Sequence, residues 1–279
     1  MLNFHGLASL LFLPADRGDR LSKAANTKAG AIILDLEDGV AVQSKLEARA
    51  GVAALILTLR SLGRGSVVRV NADAVHDDLS SLCAAWPDAV MLPKVEASSE
   101  LVALREALLR LGAPPDLQVV SLIETPRGIF NLPQIVLECR SQDALAFGSE
   151  DYATAMGNAP TSEVLSFAAH SIALAARAYA LPAFGVIGSI AEIKDQSAFR
   201  TSCRLARLAG FTGILAIHPA QVESADQTFL PTQDELDWAR AVLADAANAG
   251  GGAIMGQDGQ MIDKPIVDRA SRILARSRP

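Results

Sequence analysis

The sequence predicts an α/β fold, a (β/α)8 TIM barrel with a C-terminal helical extension, and three observations carry that expectation. Eight short runs rich in Val, Ile and Leu alternate with segments of helical periodicity, as parallel strands covered by helices do. Polar residues fall at the carboxyl ends of these runs, where barrel active sites are built. The chain has 279 residues, half of them apolar and one-fifth charged, which suits one domain of this size with a sizeable core.

The runs are 9–14, 31–36, 66–71, 89–93, 118–123, 144–148, 183–187 and 213–217. After the first comes the charged turn Pro14-Ala15-Asp16-Arg17-Gly18-Asp19-Arg20. A doubly wound dinucleotide-binding sheet would carry a glycine-rich fingerprint there, so this turn argues against one. Between runs four and five, Leu recurs at three- and four-residue spacing over 96–111, and Gly112 with Pro114 closes that helix. Beyond the eighth run, Thr232 with Glu235 forms a capping box. It opens a helix whose apolar face is Leu236, Ala239, Val242, Leu243 and Ala246. Ala249 and Gly250 to Gly252 read as a flexible joint, and a last helix follows over 265–275 from Pro265. The domain reading is therefore a barrel with its following helix over 1–249 and a lid or subunit-contact segment over 250–279.

Composition excludes several classes of function. Lys and Arg number 25 against 31 Asp and Glu, giving a net charge of −6, and no basic cluster offers the footprint that nucleic acid needs. Mean hydropathy is +0.26, yet the uncharged stretch 178–191 is divided by Pro182 and falls short of the roughly 20 residues that cross a bilayer. No membrane partner is expected. The apolar run 7–13 has no Lys or Arg before it, unlike a secretory signal, which leads us to expect a cytoplasmic protein. Cys83, Cys139 and Cys203 are spaced too widely for a zinc or redox motif and are expected as inert core thiols.

The strand ends bring together Asp35, Glu37 and Asp38 from run two, Arg69 and Asn71 from run three, and Lys94 from run four. Run five adds Glu124, run six Gly148, Ser149, Glu150 and Asp151, and run eight His218. Carboxylates facing one cavity resist ionisation unless a cation joins them, and oxygen ligands favour a hard divalent ion. Glu124 and Asp151 are the candidate metal pair; the alternative is a pair of rim salt bridges. Arg69 lies within an apolar strand, where a guanidinium needs an anion, either Glu37 or Asp38 or the carboxylate of a substrate. Lys94 reads as an ion-pair lysine rather than a Schiff base, because neighbouring carboxylates keep it protonated. His218 is expected to bond the turn towards Gln221 rather than to hold metal.

Several blocks, in order, resemble one family: LFLPADRGDRLSKA at 11–24, IILDLEDGV at 32–40, VRVN at 68–71, LPKV at 92–95 and IETPRG at 123–128, then GSEDY at 148–152, IHPAQ at 217–221 and MIDKP at 261–265. The sequence resembles the citrate lyase β-subunit-like branch of the metal-dependent aldolases and lyases. That resemblance implies Mg²⁺, or Mn²⁺ in its place, on Glu124 and Asp151, with Arg69 binding a 2-oxo acid near Gly148 and Ser149. It implies supporting roles for Glu37 and Asp38, and contacts from Arg20 and Lys23 to the phosphates of a CoA thioester. It also implies that Asp263 takes part in proton transfer, often in an adjacent subunit of a homotrimer; read alone, Asp263 is a helix N-cap before Pro265.

The related aldolase branch resembles D-x-E-H-G where this chain has Asp38 after Glu37, so a histidine base is missing and thioester substrates are favoured. Ala15, Ile214 and Phe184 depart from the family's usual Gly, Lys and a nearby Asp, which raises an altered acyl-carrier pocket as an alternative. The activity implied is carbon-carbon cleavage or formation of a 3-hydroxy-3-carboxyacyl thioester such as malyl-CoA, citramalyl-CoA or a citryl thioester. The products would be a 2-oxo acid and an acetyl thioester, carried on CoA or an acyl-carrier protein. The alternatives are thioester hydrolysis or a malate-synthase-like condensation in the same site, and a non-catalytic subunit that binds CoA or an acyl carrier.

Overall fold

Eight parallel strands follow one another around the sheet in sequence order: β1 (Ser9–Pro14), β2 (Ala31–Asp35), β3 (Gly65–Arg69), β4 (Ala89–Leu92), β5 (Gln118–Ile123), β6 (Ala144–Phe147), β7 (Ala183–Phe184) and β8 (Ile214–Ala216). The computed structural model describes residues 2–248, 254–255 and 261–276. Ser9 to Leu11 of β1 pair with Ile214 to Ala216 of β8, so first and last strands are neighbours. The ring closes between β7 and β8 through a single bridge, Phe184 to Gly213, with the Gly185 N–H donating to Gly213 O at 3.0 Å. The expected TIM barrel is the observed fold.

Strands two, three, four, six, seven and eight end earlier than their apolar runs, because the ladder stops where the chain turns out to form the mouth. β7 is shortest, with Gly188 taking φ +158° just beyond it. The 96–111 helix is observed as Ser98–Arg110, and Gly112 adopts φ +72°, a left-handed conformation that glycine takes without steric cost.

Inward side chains fill the barrel: Leu10, Ile33, Val67, Met91, Val120, Leu122 and Leu215 are joined by Phe4 and Phe184, with alanines 31, 89, 144 and 146 leaving room for the rings. Phe4 meets Phe184 edge-on, with ring centres 5.8 Å apart at 66°. Phe184 and Ile214, two of the departures from the family pattern, are fully buried and line no part of the cavity at the mouth. Apolar packing occupies those positions. The cysteines divide three ways: Cys203 is buried as expected, Cys139 is half-buried, and Cys83 is exposed because it follows the helix Val75–Ser81 on the outside of the barrel.

Residues Phe229–Pro279 form a second compact unit. Its helix Gln233–Asn248 opens on the capping box: Thr232 Oγ1 accepts from the Glu235 N–H at 3.2 Å, and Glu235 Oε2 accepts from the Thr232 N–H at 2.9 Å. Ala239 and Val242 of that helix pack with Ile262 and with Ala270 of the helix Lys264–Ala275. The chain divides into its two compact units at 228/229, and the apolar face of the first helix of the second unit is buried against the last one. The glycine joint over 250–252 lies outside the described residues. No described helix is long and apolar enough to cross a membrane.

Phe184→Ala removes a fully buried ring from the barrel interior and is expected to cost about 3–5 kcal/mol, measured as a lowered midpoint of urea unfolding.

Candidate active site

A cavity of about 430 Å³ opens at the carboxyl ends of the strands, and Asp35, Asp38, Arg69, Glu124, Gly148, Ser149, Glu150 and Asp151 reach it. The chain brings these together because each follows or ends a strand of the same ring.

Arg69 ends β3 directly beside Asp35, which ends β2 in register with it. Its Nε donates to Asp35 Oδ1 at 2.7 Å and its Nη2 to Asp35 Oδ2 at 2.6 Å, a two-pronged bond. Nη1 lies 2.9 Å from Glu37 Oε2, but that oxygen accepts no hydrogen bond, so the contact is electrostatic with poor alignment. The guanidinium also lies 4.8 Å above the Phe12 ring. Burial alone would lower its pKa, and the bonds and charges of Asp35, Glu37 and Glu124 outweigh that and fix it as a cation. A guanidinium has five N–H donors, so this one still has donors to offer a ligand. The sequence offered Glu37, Asp38 or a substrate as its partner. Asp35 is the residue that reasoning missed, and the signal for it was strand register.

Asp35 is itself held from below: Oδ1 accepts from the Glu37 N–H at 2.9 Å and Oδ2 from the Gly39 N–H at 2.8 Å. The turn that bears Glu37 and Asp38 is therefore wrapped around the carboxylate that orients Arg69. Lys45 Nζ adds bonds at 3.1 Å to the carbonyls of both Leu36 and Glu37, and a further bond to Asn71 Oδ1. Asn71 is in turn bound to the fully buried Asp78, which accepts its N–H at 2.6 Å.

Glu37 is buried, and Lys94 Nζ donates to its Oε1 at 2.7 Å. Burial pushes the Glu37 carboxyl up, against the opposing pull of Arg69 and Lys94. Asp38 is largely exposed, with Lys94 Nζ at 3.5 Å. Lys94 forms the expected ion pair: burial would lower its pKa, and the bond to Glu37 with the charges of Asp38 and Glu124 raises it instead. Its backbone adopts φ +52°, strained for a residue with a Cβ, and this turns its N–H onto Glu124 Oε1 at 2.9 Å. Nothing in the sequence pattern signals that backbone role.

Glu124 is almost fully buried, and among the described residues no Lys or Arg side chain forms an ion pair with its carboxylate. Burial first, then the neighbouring charges of Asp151 and Glu37, push it up to about 8. Asp151, which faces the same cavity, has no hydrogen bond or ion pair among the described residues. Two carboxylates with unused oxygens and an unfavourable mutual charge have the chemistry of a hard-cation site. No group of three or more His, Cys, Asp or Glu is arranged for a metal among the described residues, so other ligands of such a cation would be substrate oxygens and water. A side chain at Gly148 would bring its Cβ within 2.7 Å of Glu124 Cβ, so glycine is what lets β6 pass behind this carboxylate.

The remaining expected residues are placed differently. Ser149 is buried at the cavity. Arg20 and Lys23 are exposed at and after the turn following β1 and do not line the cavity. His218 Nδ1 accepts from the Ala220 N–H at 3.2 Å, the expected turn bond. Asp263 caps the helix Lys264–Ala275, accepting from the Ile266 N–H at 3.3 Å.

A parallel barrel whose mouth sets two carboxylates, neither paired with a Lys or Arg among the described residues, in one cavity with a buried arginine defines a class of enzyme that binds carboxylate substrates around a divalent cation. The chain belongs to the HpcH/HpaI aldolase/citrate lyase family, whose model matches residues 8–219. It is 32% identical over 282 residues to citrate lyase subunit beta of Haemophilus influenzae, covering 97% of this chain and 96% of that protein. It is 31% identical over 280 residues to a (3S)-malyl-CoA thioesterase of Cereibacter sphaeroides, covering 98% and 95%. Among solved structures, the protein CitE of Mycobacterium tuberculosis in complex with magnesium, acetoacetate and coenzyme A superposes with a TM-score of 0.77 at 30% identity, over 98% of this chain and 99% of that one.

Two substitutions test the geometry. Asp35→Ala leaves Arg69 buried without its two-pronged partner and is expected to destabilise the fold by about 3–5 kcal/mol in urea unfolding. Gly148→Ala displaces Glu124 and is expected to weaken divalent-cation binding at least roughly tenfold, as calorimetric titration would show.

Proposed function

We propose that this chain is a Mg²⁺-dependent carbon-carbon lyase acting reversibly on a 3-hydroxy-3-carboxyacyl thioester, with a 2-oxo acid and an acetyl thioester as products. The observation that carries the reading is the pair Glu124 and Asp151, carboxylates that line one cavity with the guanidinium of Arg69 and pair with no Lys or Arg among the described residues. They fit Mg²⁺, and Mn²⁺ would serve in its place, since both take oxygen ligands with room for substrate and water. When bound, the ion supplies Lewis-acid polarisation and a template for the hydroxyl and carboxylate oxygens of the substrate.

The remaining work falls to the chain. Arg69, clamped by Asp35, directs its free N–H groups at the oxygen of the substrate's oxo-acid half and stabilises charge there as the carbonyl forms. A base takes the hydroxyl proton, the O–H electron pair becomes the new C=O bond, and the C–C pair passes to the α-carbon of the thioester as an enolate. A proton returned to that carbon completes the acetyl thioester. Asp263 is our candidate for that transfer, reaching an active site from the C-terminal segment of an adjacent subunit in a homotrimer. Glu37 and Asp38 hold Lys94 and Arg69 in their orientation, while Gly148 and Ser149 shape the floor on which the oxo acid rests. Arg20 and Lys23, exposed beside the mouth strand β1, would meet the phosphates of CoA. The 250–279 segment would serve as lid or subunit contact, and the protein would work in the cytoplasm.

A second reading is thioester hydrolysis in the same cavity, favoured by the relative named as a malyl-CoA thioesterase. The two separate by product. With malyl-CoA or citramalyl-CoA and Mg²⁺, the lyase releases oxo acid and acetyl thioester in equal amounts without free thiol; thiol appearing without oxo acid overturns it. Chelation is expected to abolish turnover and Mg²⁺ or Mn²⁺ to restore it, while Glu124→Ala and Asp151→Ala each lower kcat/KM on the order of 100-fold or more. A barrel that binds CoA yet shows no divalent-cation affinity at millimolar levels would instead be a non-catalytic subunit.

A further inference from the structure

The cavity has two unlike halves. Its charged groups come from the ends of β2, β3, β5 and β6, with Leu122 and Phe147 beneath them, whereas Phe12 and Pro14 of β1, Ile190 after β7, and Leu215 and Ile217 of the β8 region contribute an apolar wall that meets the charged side where Phe12 lies under Arg69. Ile217 is 41% exposed, an uncommon condition for an isoleucine that has a cavity to line. This wall is rigidly built. Gln221, fully buried, accepts from the Ile217 N–H at 2.8 Å and the His218 N–H at 3.1 Å through Oε1. Its Nε2 donates to Ile190 O at 2.7 Å, so one amide ties both isoleucine-bearing segments together. Glu150 adds a second tie, accepting from Ser189 Oγ at 2.6 Å and from the Ala191 N–H at 3.3 Å, on either side of Ile190.

Charge settles what such a wall can face. The lining carries Asp35, Asp38, Glu124, Glu150 and Asp151 against one cation, Arg69, and Arg69 is already paired with Asp35. A bound divalent ion and the remaining donors of Arg69 can balance one substrate carboxylate beside the acidic pair. A second carboxylate would meet no cation among the described lining residues, and would have to shed its water against isoleucine.

Resting on the lyase reading above, we infer that the oxo-acid half of the substrate carries a single carboxylate and an alkyl substituent, which packs on the wall of Ile190 and Ile217, and that dicarboxylic oxo acids are selected against. Of the thioesters in view, this favours citramalyl-CoA, which yields pyruvate, over a citryl thioester, which yields oxaloacetate. Ile190 and Ile217 are the specificity-determining residues, and Gln221 is a positioning residue acting through both.

The test is calorimetric titration of the whole protein in Mg²⁺ with pyruvate, 2-oxobutyrate and oxaloacetate, which needs no turnover. Wild type is expected to bind 2-oxobutyrate at least roughly tenfold tighter than oxaloacetate, because an unpaired buried carboxylate is heavily penalised. Ile217→Arg, at a partly exposed position that tolerates a long side chain, is expected to narrow or reverse that ratio by at least roughly tenfold. Ile217→Ala is expected to erase any advantage of 2-oxobutyrate over pyruvate. Oxaloacetate binding as tightly as 2-oxobutyrate overturns the specificity inference, even where thioester cleavage proceeds. Binding that follows the expected order in a protein that releases only thiol overturns the lyase reading and leaves the inference standing, and no Mg²⁺-dependent binding of any oxo acid overturns both.

Discussion

A guanidinium buried at the end of an apolar strand sets the terms for the whole mouth of this barrel. Arg69 cannot be left alone in such a setting, and the fold answers by ending the neighbouring strand on Asp35 at the same level. That pairing consumes two of five donors and aligns the rest. It also recruits a turn: Asp35 accepts the N–H groups of Glu37 and Gly39, so the loop after β2 is shaped by the same carboxylate. Lys94 then satisfies Glu37, and its backbone, forced to positive φ, supplies the one hydrogen bond that Glu124 receives from the main chain. One buried charge thus propagates through four strand ends.

The chain of compensation stops at Glu124 and Asp151. Everything earlier in it is matched by a cationic side chain, whereas no Lys or Arg side chain pairs with either of these two carboxylates among the described residues, and the charge of Asp151 adds to the burial that makes Glu124 costly to ionise. A fold that pairs Asp78 with Arg49 at 2.5 Å and Asp143 with Arg105, neither acid lining the cavity, neutralises buried acids where they serve structure. The exception at the mouth is therefore the chemically meaningful place. Strain at Lys94 and close passage at Gly148 both serve the position of Glu124, which is where stored strain is expected to collect.

The apolar half of the cavity follows a different logic. It is made by short strands and loops, β7 with two residues and β8 with three, and so depends on side-chain ties where ladder bonds are few. Gln221 and Glu150 provide those ties. The polar half owes its shape to strand register, and the apolar half to the hydrogen bonds of two buried or half-buried polar side chains.

Much of this was legible in the residues themselves. Apolar runs of strand length, helices with their caps, and polar residues clustered at one end of every run determine the barrel and identify its active rim, because those signals are local and periodic. The capping box at Thr232 and the stop at Gly112 are likewise fixed within four or five residues of chain. The partner of Arg69 was not local: Asp35 lies 34 positions away and meets it only through the register of β2 against β3. The same holds for Gln221 bonding Ile190 across 31 positions, and for the helix Gln233–Asn248 grouping with the last helix instead of the barrel. The sequence by itself determined which side chains would gather at the mouth; only the tertiary structure decided which of them neutralise one another and which stay available, because charge pairing depends on distances of a few ångströms between strands that the chain order does not encode.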